Sequence, residues 1–537
     1  MINMKTCLNI LKNRCGLETN MSQINVYLSV NENEYLDKVK GCWLGKSIGG
    51  TLGAPFEWHR QVNAVDFYTQ NLTGEALPND DLDIQLLWLI ALEEQGIRIS
   101  SRLLSEYWSL YVTPHWSEYG VAKANLRMGL VPPHSGYHNN PYRHSCGAFI
   151  RSEIWACIAP GLPQIAAKYA YEDAIIDHGG DAEGLYAEIF CASVESAAFV
   201  EGNINKLIDI GLSYIPENSG TAGSVKCAVA SYKSGMTWLE ARNAILEKYR
   251  GHCPFGLDHC ISKEDRDRGF FDGIMGWDAP SNIGMLVIGL LYGQGDFGKT
   301  LCIAVNCGED TDCTAATAGS IFGILKGANN IPAKWIDPIG CGIKTACLNL
   351  GELGFYGDLL PANIENLTER VYKITKQILL AHKTCINISN VPTDLSRLNS
   401  DILYAGNTKQ SLYAHSHGPV YKFDFFDIYV EYCDGLTIKN ASDYRIRLRI
   451  ENTYKIQSNL NYKWYVDDGW QISPGKTGVL YVNSIINCTD ASNIAEVDFI
   501  LRNETITQIK NRFIVEITIE GKPTVMLVPI MLIYDNK

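Results

Sequence analysis

The spacing of hydrophobic residues changes once along this chain, near Thr384, and that change limits the fold more than any other feature. From Glu34 to about Ala381 apolar residues recur at helical intervals, with no run of alternating strands. Beyond Thr384 the pattern alternates, as in Tyr444-Arg-Ile-Arg-Leu-Arg-Ile450, Val497-Asp-Phe-Ile-Leu501 and Arg512-Phe-Ile-Val-Glu-Ile-Thr-Ile519. Turn signals such as Asp467-Asp-Gly469, Pro474-Gly475 and Gly521-Lys-Pro523 separate these runs. The expectation is a multi-domain chain: an all-α domain over 33–385, a linker over 386–405 and a smaller all-β antiparallel sandwich over 406–537. Residues 1–32 read as a poorly ordered extension.

A net charge of −13 over 537 residues argues against non-specific binding to nucleic acid or to an anionic membrane. No run approaches the roughly 18 apolar residues needed to span a bilayer, and the N-terminal stretch lacks a signal-peptide core. Seventeen cysteines, an odd number without framework spacing, read as reduced and mostly buried. A cytoplasmic protein is expected. His252-Cys253 and His259-Cys260 are not spaced like a common zinc site and read as an ordinary loop.

Three helix boundaries carry unusual residues. Gly41, Gly45, Gly49 and Gly53 recur every four residues and line one helix face, where another backbone can pack closely. That helix ends near Gly53-Ala-Pro55, and Glu57 follows; alone, such a Glu is solvated surface. Asn79-Asp80-Asp81 precedes a helix, Ile84 to Leu92, that is apolar nearly all round. Asn79 or Asp80 suffices to cap it, so the second acid exceeds what capping requires. In Val305–Gly319, Asp310 and Asp312 point to opposite sides of a regular helix. They converge if Asp310 lies in the loop after Gly308 and Asp312 in the first helical turn. His178, in the glycine-rich run Asp177 to Gly184, reads alone as a hydrogen-bonded structural histidine.

Gly293-Gln-Gly-Asp-Phe-Gly-Lys-Thr300 matches the phosphate-loop pattern letter for letter. That fold needs alternating strands and helices, and these flanks are helical, so a chance match is the better reading. A nucleoside-triphosphatase using Lys299 stays as an alternative.

Four acids at two buried helix starts repel one another unless a cation lies between them. Carboxylate-rich ligation suits Mg²⁺, Mn²⁺ or Ca²⁺ rather than zinc. Together, Gly41-Cys-Trp-Leu-Gly45, Gly53-Ala-Pro-Phe-Glu57, Asn79-Asp-Asp81, Gly147-Ala148, Asp177-His178 and Asn306-Cys-Gly-Glu-Asp-Thr-Asp312 resemble the ADP-ribosylglycohydrolase family over about residues 37 to 380. Asn140-Pro-Tyr-Arg143, Ala159-Pro-Gly161 and Glu183-Gly-Leu-Tyr-Ala-Glu188 look like its extended bacterial branch. Trp464 to Pro474 resembles a turn of accessory β-sandwiches, read here as a packing module.

The resemblance implies an all-α ADP-ribosylglycohydrolase-like domain with two Mg²⁺ ions, Mn²⁺ being the alternative. Asn79, Asp80, Asp81, Asp310 and Asp312 fall on the family's metal ligands. Glu57 falls on the acid near the scissile bond, and Gly147, Ala148 and His178 on segments that contact ADP-ribose. Two positions depart from the pattern: Asn79 stands where the family usually has Thr, and Cys313 where it has Ser or Thr. Cys313 is therefore a candidate ligand of softer character. The implied activity is hydrolysis at the ribose anomeric carbon of an ADP-ribosylated protein or small ADP-ribosyl compound. Glu57 is the first choice for general acid/base, with Asp81 and Asp312 as further catalytic candidates. A non-catalytic ADP-ribose-binding or structural relative is the alternative.

Overall fold

The computed structural model describes residues 28–57, 59–250, 276–351, 357–382, 384–486 and 492–535. The His252–Cys260 segment lies outside them. The chain divides into two units. One is helical and comprises Val26–Leu126 with Ser135–Ala414; the other comprises Arg127–His134 and His415–Lys537.

In the helical unit seven helices position or flank the acids: α1 (Glu32–Gly53), α2 (Asp80–Gln95), α3 (Glu153–Ile158), α4 (Glu183–Ala198), α5 (Ala279–Tyr292), α6 (Phe297–Asn306) and α7 (Thr311–Lys326). Strand β1 (Leu28–Asn31) pairs in parallel with β2 (Ile386–Ser389). Residues expected as disordered extension and as linker thus form a small ladder within this unit, so the unit is not wholly α. Its tyrosines also hold the following segment: the hydroxyl of Tyr214 donates to the Leu403 carbonyl at 3.1 Å. No helix among the described residues is long and apolar enough to cross a membrane, and every described cysteine is a free thiol.

The partner of the glycine stripe is α7. The two helices run antiparallel, backbone against backbone. A Cβ at Gly41, Gly45 or Gly49 would overlap the carbonyl of Gly323, Gly319 or Ala315 in turn, and one at Gly53 would overlap Thr311 and Asp312. The clash is reciprocal, because a Cβ at Gly319 would strike Gly45. The stripe therefore fixes where α7 begins relative to the end of α1. Thr311 completes the lock by donating its hydroxyl to the Gly53 carbonyl at 2.8 Å. Gly45→Ala is expected to cost about 3 kcal/mol, the upper end for overpacking, because a backbone and not a mobile side chain must yield. Urea denaturation checks this, and a cost under about 1 kcal/mol would show the helices free to separate.

The second unit is a sandwich of two five-stranded sheets. One has the order β3 (Val420–Lys422), β4 (Phe426–Tyr432), β6 (Tyr444–Asn452), β10 (Ile494–Arg502), β8 (Gln471–Ser473). The other has β5 (Thr437–Ile438), β12 (Val525–Tyr534), β11 (Lys510–Ile519), β7 (Ser458–Tyr465), β9 (Thr477–Val482). Pairing is antiparallel except between β5 and β12, which is parallel. The alternation is direct: Ile446, Leu448 and Ile450 point inward while Arg445, Arg447 and Arg449 point outward. Trp464 of one sheet meets Phe499 of the other at 4.9 Å between ring centroids. Arg127–His134 joins this unit from within the helical sequence, with His134 edge-on to Tyr432 at 4.6 Å. A short insert of that kind leaves no composition signal.

Candidate metal centre

The α1–α7 lock brings three helix boundaries together. At the end of α1 the chain turns through Ala54–Phe56 and presents half-buried Glu57. At the start of α2, Asn79 caps the helix, its side-chain oxygen accepting from the Asp81 amide at 2.8 Å. The cap leaves Asp81 inside the first turn, 1% exposed. Before α7 the backbone takes positive φ at Gly308 and Glu309 in succession. A Cβ at Gly308 would overlap the Gln61 carbonyl, so this turn needs glycine. Glu309 is held by Arg60 at 3.4 Å and by Arg250, and Asn282 of α5 accepts from the Asp310 amide at 3.1 Å. This turn sets Asp310 at the N-cap of α7 and Asp312 in its first turn, the arrangement expected for convergence.

Two ligand-like groups result, each with its donor atoms within 4.8 Å of one another: Glu57, Asp310 and Asp312; and Asp81, Asp312 and Cys313. Asp312 belongs to both. Both carboxylate oxygens of Asp81, and one each of Asp310 and Asp312, are buried without a hydrogen-bond partner. Buried carboxylates in that state are costly unless a cation or protons compensate them. The donor set therefore fits a divalent cation, and Asp81, Asp310 and Asp312 are placed to hold one, with Asp80 beside Asp81 at the start of α2.

Electrostatics agree. Burial first, then Asp312, Asp80 and Asp81, push the Glu57 carboxyl up to about 9. Burial, then Glu57, push Asp310 up to about 8. Asp81 and Asp312 are raised well above the usual range, again by burial first. These folded-state values lie above the unfolded ones. Their contribution is fully present only below the unfolded carboxylate range and is lost as pH rises through about 8 and about 9. Without divalent cation the melting temperature is expected to fall from pH 6 to pH 9, and cation is expected to flatten that fall. Scanning calorimetry with chelator and with cation checks both; a chelated protein as stable at pH 9 as at pH 6 would contradict it.

One positive charge is built in beneath the acids. Lys46, between Gly45 and Gly49 of the stripe, is fully buried and pairs with Glu153 of α3 at 2.8 Å. Burial alone would strip its proton, but Glu153, Asp81 and Glu195 overrule this and hold the ammonium above its ordinary value. Gln85 donates to Glu153 at 2.8 Å, and Ser152 donates to Glu195 of α4 at 3.0 Å. Sequence reasoning missed Lys46, although one lysine on an otherwise apolar, glycine-lined face was a readable signal. It also missed Cys146, whose thiol is pushed up by burial and then by the neighbouring Asp310 charge.

Gly147 and Ala148 follow Cys146 directly and are buried, with the Gly147 carbonyl accepting from Arg151 at 2.6 Å. His178 is fully buried. Its Nδ1 donates to the Arg143 carbonyl at 3.0 Å, which leaves Nε2 as the unprotonated nitrogen of the neutral ring. Glu118 and Asp177 lie beside it, and Arg151 engages Asp177 at 2.7 Å and Asp173 at 2.9 Å.

The phosphate-loop match falls on a turn between two helices. Gly293 closes α5, Asp296 caps α6, and Gly298, Lys299 and Thr300 lie within α6. Asp296 already accepts from the Lys299 amide at 2.7 Å, so a carboxylate occupies the place a phosphate would need.

A helical unit whose helix starts converge on a buried polycarboxylate centre, followed by a β-sandwich, defines the class. Within it, the chain belongs to the ADP-ribosylglycohydrolase family, whose model matches residues 31–373. A stretch of 66 residues, 12% of this chain, is 36% identical to the ADP-ribosylarginine hydrolase Tri1 of Serratia proteamaculans (strain 568). The match spans 18% of that relative's length. Among solved structures, a FixG-related protein from Vibrio parahaemolyticus is 9% identical with a TM-score of 0.17, covering 21% of this chain and 98% of that one. The alkylpurine DNA glycosylase AlkC of Pseudomonas fluorescens is 12% identical with a TM-score of 0.13, covering 86% of this chain and 99% of that one. Likeness at those scores carries no argument.

Proposed function

We propose that the protein is a hydrolase that cleaves the glycosidic bond at the ribose anomeric carbon of ADP-ribosyl conjugates, with an ADP-ribosylated protein or small ADP-ribosyl compound as substrate. The observation that carries the reading is the pair of donor groups joined through Asp312, in a chain of this family. Asp80, Asp81, Asp310 and Asp312 hold divalent cation, Mg²⁺ first and Mn²⁺ as the alternative, while the Asn79 oxygen serves as helix cap. Bound cation would fix ribose hydroxyls and lower the proton affinity of a water.

The chain's own residues supply the rest. Glu57, whose carboxyl is pushed up by burial first and then by the neighbouring acids, is the group placed to deliver a proton to the departing atom. Loss of that atom leaves positive charge on the anomeric carbon, which the remaining carboxylates stabilise. Asp81 or Asp312 then takes the proton of the attacking water. Gly147, Ala148 and His178, beside Cys146, support the wall that faces the ADP-ribosyl group. The Tri1 likeness makes ADP-ribosyl-arginine the first substrate to try.

The test is release of ADP-ribose from an ADP-ribosyl-arginine protein and from an ester-linked counterpart, with Mg²⁺, with Mn²⁺ and with chelator. Cation-dependent release supports the reading; no release from either substrate under any condition favours a binding or structural role. Lys299→Ala is expected to leave activity within about twofold, since its ammonium lies on the far turn of α6 beside Gln294 at 3.3 Å. Loss of activity in that variant would reopen a triphosphatase.

A further inference from the structure

The two donor groups that share Asp312 differ in chemistry. Glu57, Asp310 and Asp312 offer only carboxylates. Asp81, Asp312 and Cys313 include a thiol, with its sulfur within 4.8 Å of the ligand oxygens. Cys313 is not alone: burial, then the neighbouring Asp310 carboxylate, push its thiol up, and the same two causes act on the Cys146 thiol in the segment preceding Gly147. Both cysteines are buried, at 7% and 3% exposure. Both Asp81 oxygens are buried without a hydrogen-bond partner, and one of them lies within 4.8 Å of this thiol. Two sulfurs against unsatisfied carboxylates are an independent sign that the set takes a ligand, and thiolate sulfur ranks cations differently from oxygen. Mg²⁺ avoids sulfur, whereas Zn²⁺ and Co²⁺ accept mixed sulfur and oxygen ligation.

We propose that the centre is chemically asymmetric: the Asp81–Asp312–Cys313 group takes a borderline cation of the zinc and cobalt class, with Cys313 as a thiolate ligand, while the all-carboxylate side takes Mg²⁺ on Asp310 and Asp312, with Glu57 beside it as the acid. This rests on the reading of the centre as a cation site. Binding balances simply: the cation replaces the thiol proton of Cys313, which passes to solvent, and no electron is transferred. Cys146 stands beside the same acids as the second sulfur. The asymmetry makes the enzyme's cation preference a property of one side chain.

The experiment uses the full chain stripped with chelator and titrated with Co²⁺, followed by absorbance in the near ultraviolet and by metal content after dialysis. The expected result is a sulfur-to-cobalt charge-transfer band that grows to one equivalent and persists in a large excess of Mg²⁺. Zn²⁺ abolishes it by displacement. Cys313→Ser is expected to lose the band while still binding cation, and to gain affinity for Mg²⁺ in isothermal titration. Cys313→Ala serves as a second variant, and an unchanged melting temperature in chelator shows that either variant is folded. Cobalt bound without the band, or a band that survives Cys313→Ser, overturns the thiolate ligand but leaves the cation centre standing. No Co²⁺, Zn²⁺ or Mg²⁺ retained by the wild-type protein overturns both.

Discussion

Asp312→Asn is expected to lower ADP-ribosyl hydrolysis by about a hundredfold to a thousandfold, the scale seen when one preorganised electrostatic group is removed from an active site. Asp312 is the one acid common to both donor groups, so its loss weakens both at once. The substitution keeps the side chain's shape, and the α7 start is secured independently by Thr311 on Gly53 and by Asn282 on Asp310. Stability should move the other way. Asp312 is buried, and Asp310 and Asp80 oppose its ionisation, so the neutral amide relieves repulsion in the cation-free protein. The chelated variant is expected to melt above the chelated parent, while its melting temperature responds less to added cation. Opposite signs for activity and stability separate a functional acid from a structural one. Retention of a tenth of the activity, or a variant less stable than its parent without cation, would refute the assignment.

Much of this centre was legible in the sequence alone. Asp80-Asp81 and Asp310-Thr-Asp312 stood out because capping needs one acid and each segment offered two. The glycine stripe announced a close backbone partner but could not say which one. That answer required matching small residues far along the chain, Ala315, Gly319 and Gly323, at the same four-residue spacing. The sandwich was plain from alternation, since its two faces differ in solvent exposure at every strand. What stayed hidden has local physical reasons. Asn79 reads as a ligand because an amide oxygen serves a cation or a helix N-terminus equally well; in the structure that oxygen accepts from the Asp81 amide at 2.8 Å, the bond of an N-cap. The β1–β2 ladder was invisible because four-residue strands carry too little pattern, and residues 386–389 are polar enough to read as linker. Cys146 and Lys46 were overlooked because each sits within a run whose other residues explain themselves by packing.

Lys46→Met is expected to destabilise the protein by about 3–5 kcal/mol, the cost of removing one partner from a buried ion pair. Methionine fills most of the stem's volume, so the loss reports charge and not a cavity. Glu153 would then be a fully buried carboxylate with, among the described residues, only Gln85 as donor, and Glu195 would keep only Ser152 among them. The same deletion takes away the fixed positive charge that opposes the upward shift of Asp81. The variant should therefore lean harder on added cation, which would raise its melting temperature by more than it raises the parent's. Adding Glu153→Gln to Lys46→Met tests the cause, because an amide there removes the orphaned charge. The double variant is expected to recover stability relative to Lys46→Met alone, a coupling measurable by a double-mutant cycle in urea. If Lys46→Met costs under about 1 kcal/mol, the pair behaves as a surface bridge does, and the fold does not depend on this lysine to hold its acids in place.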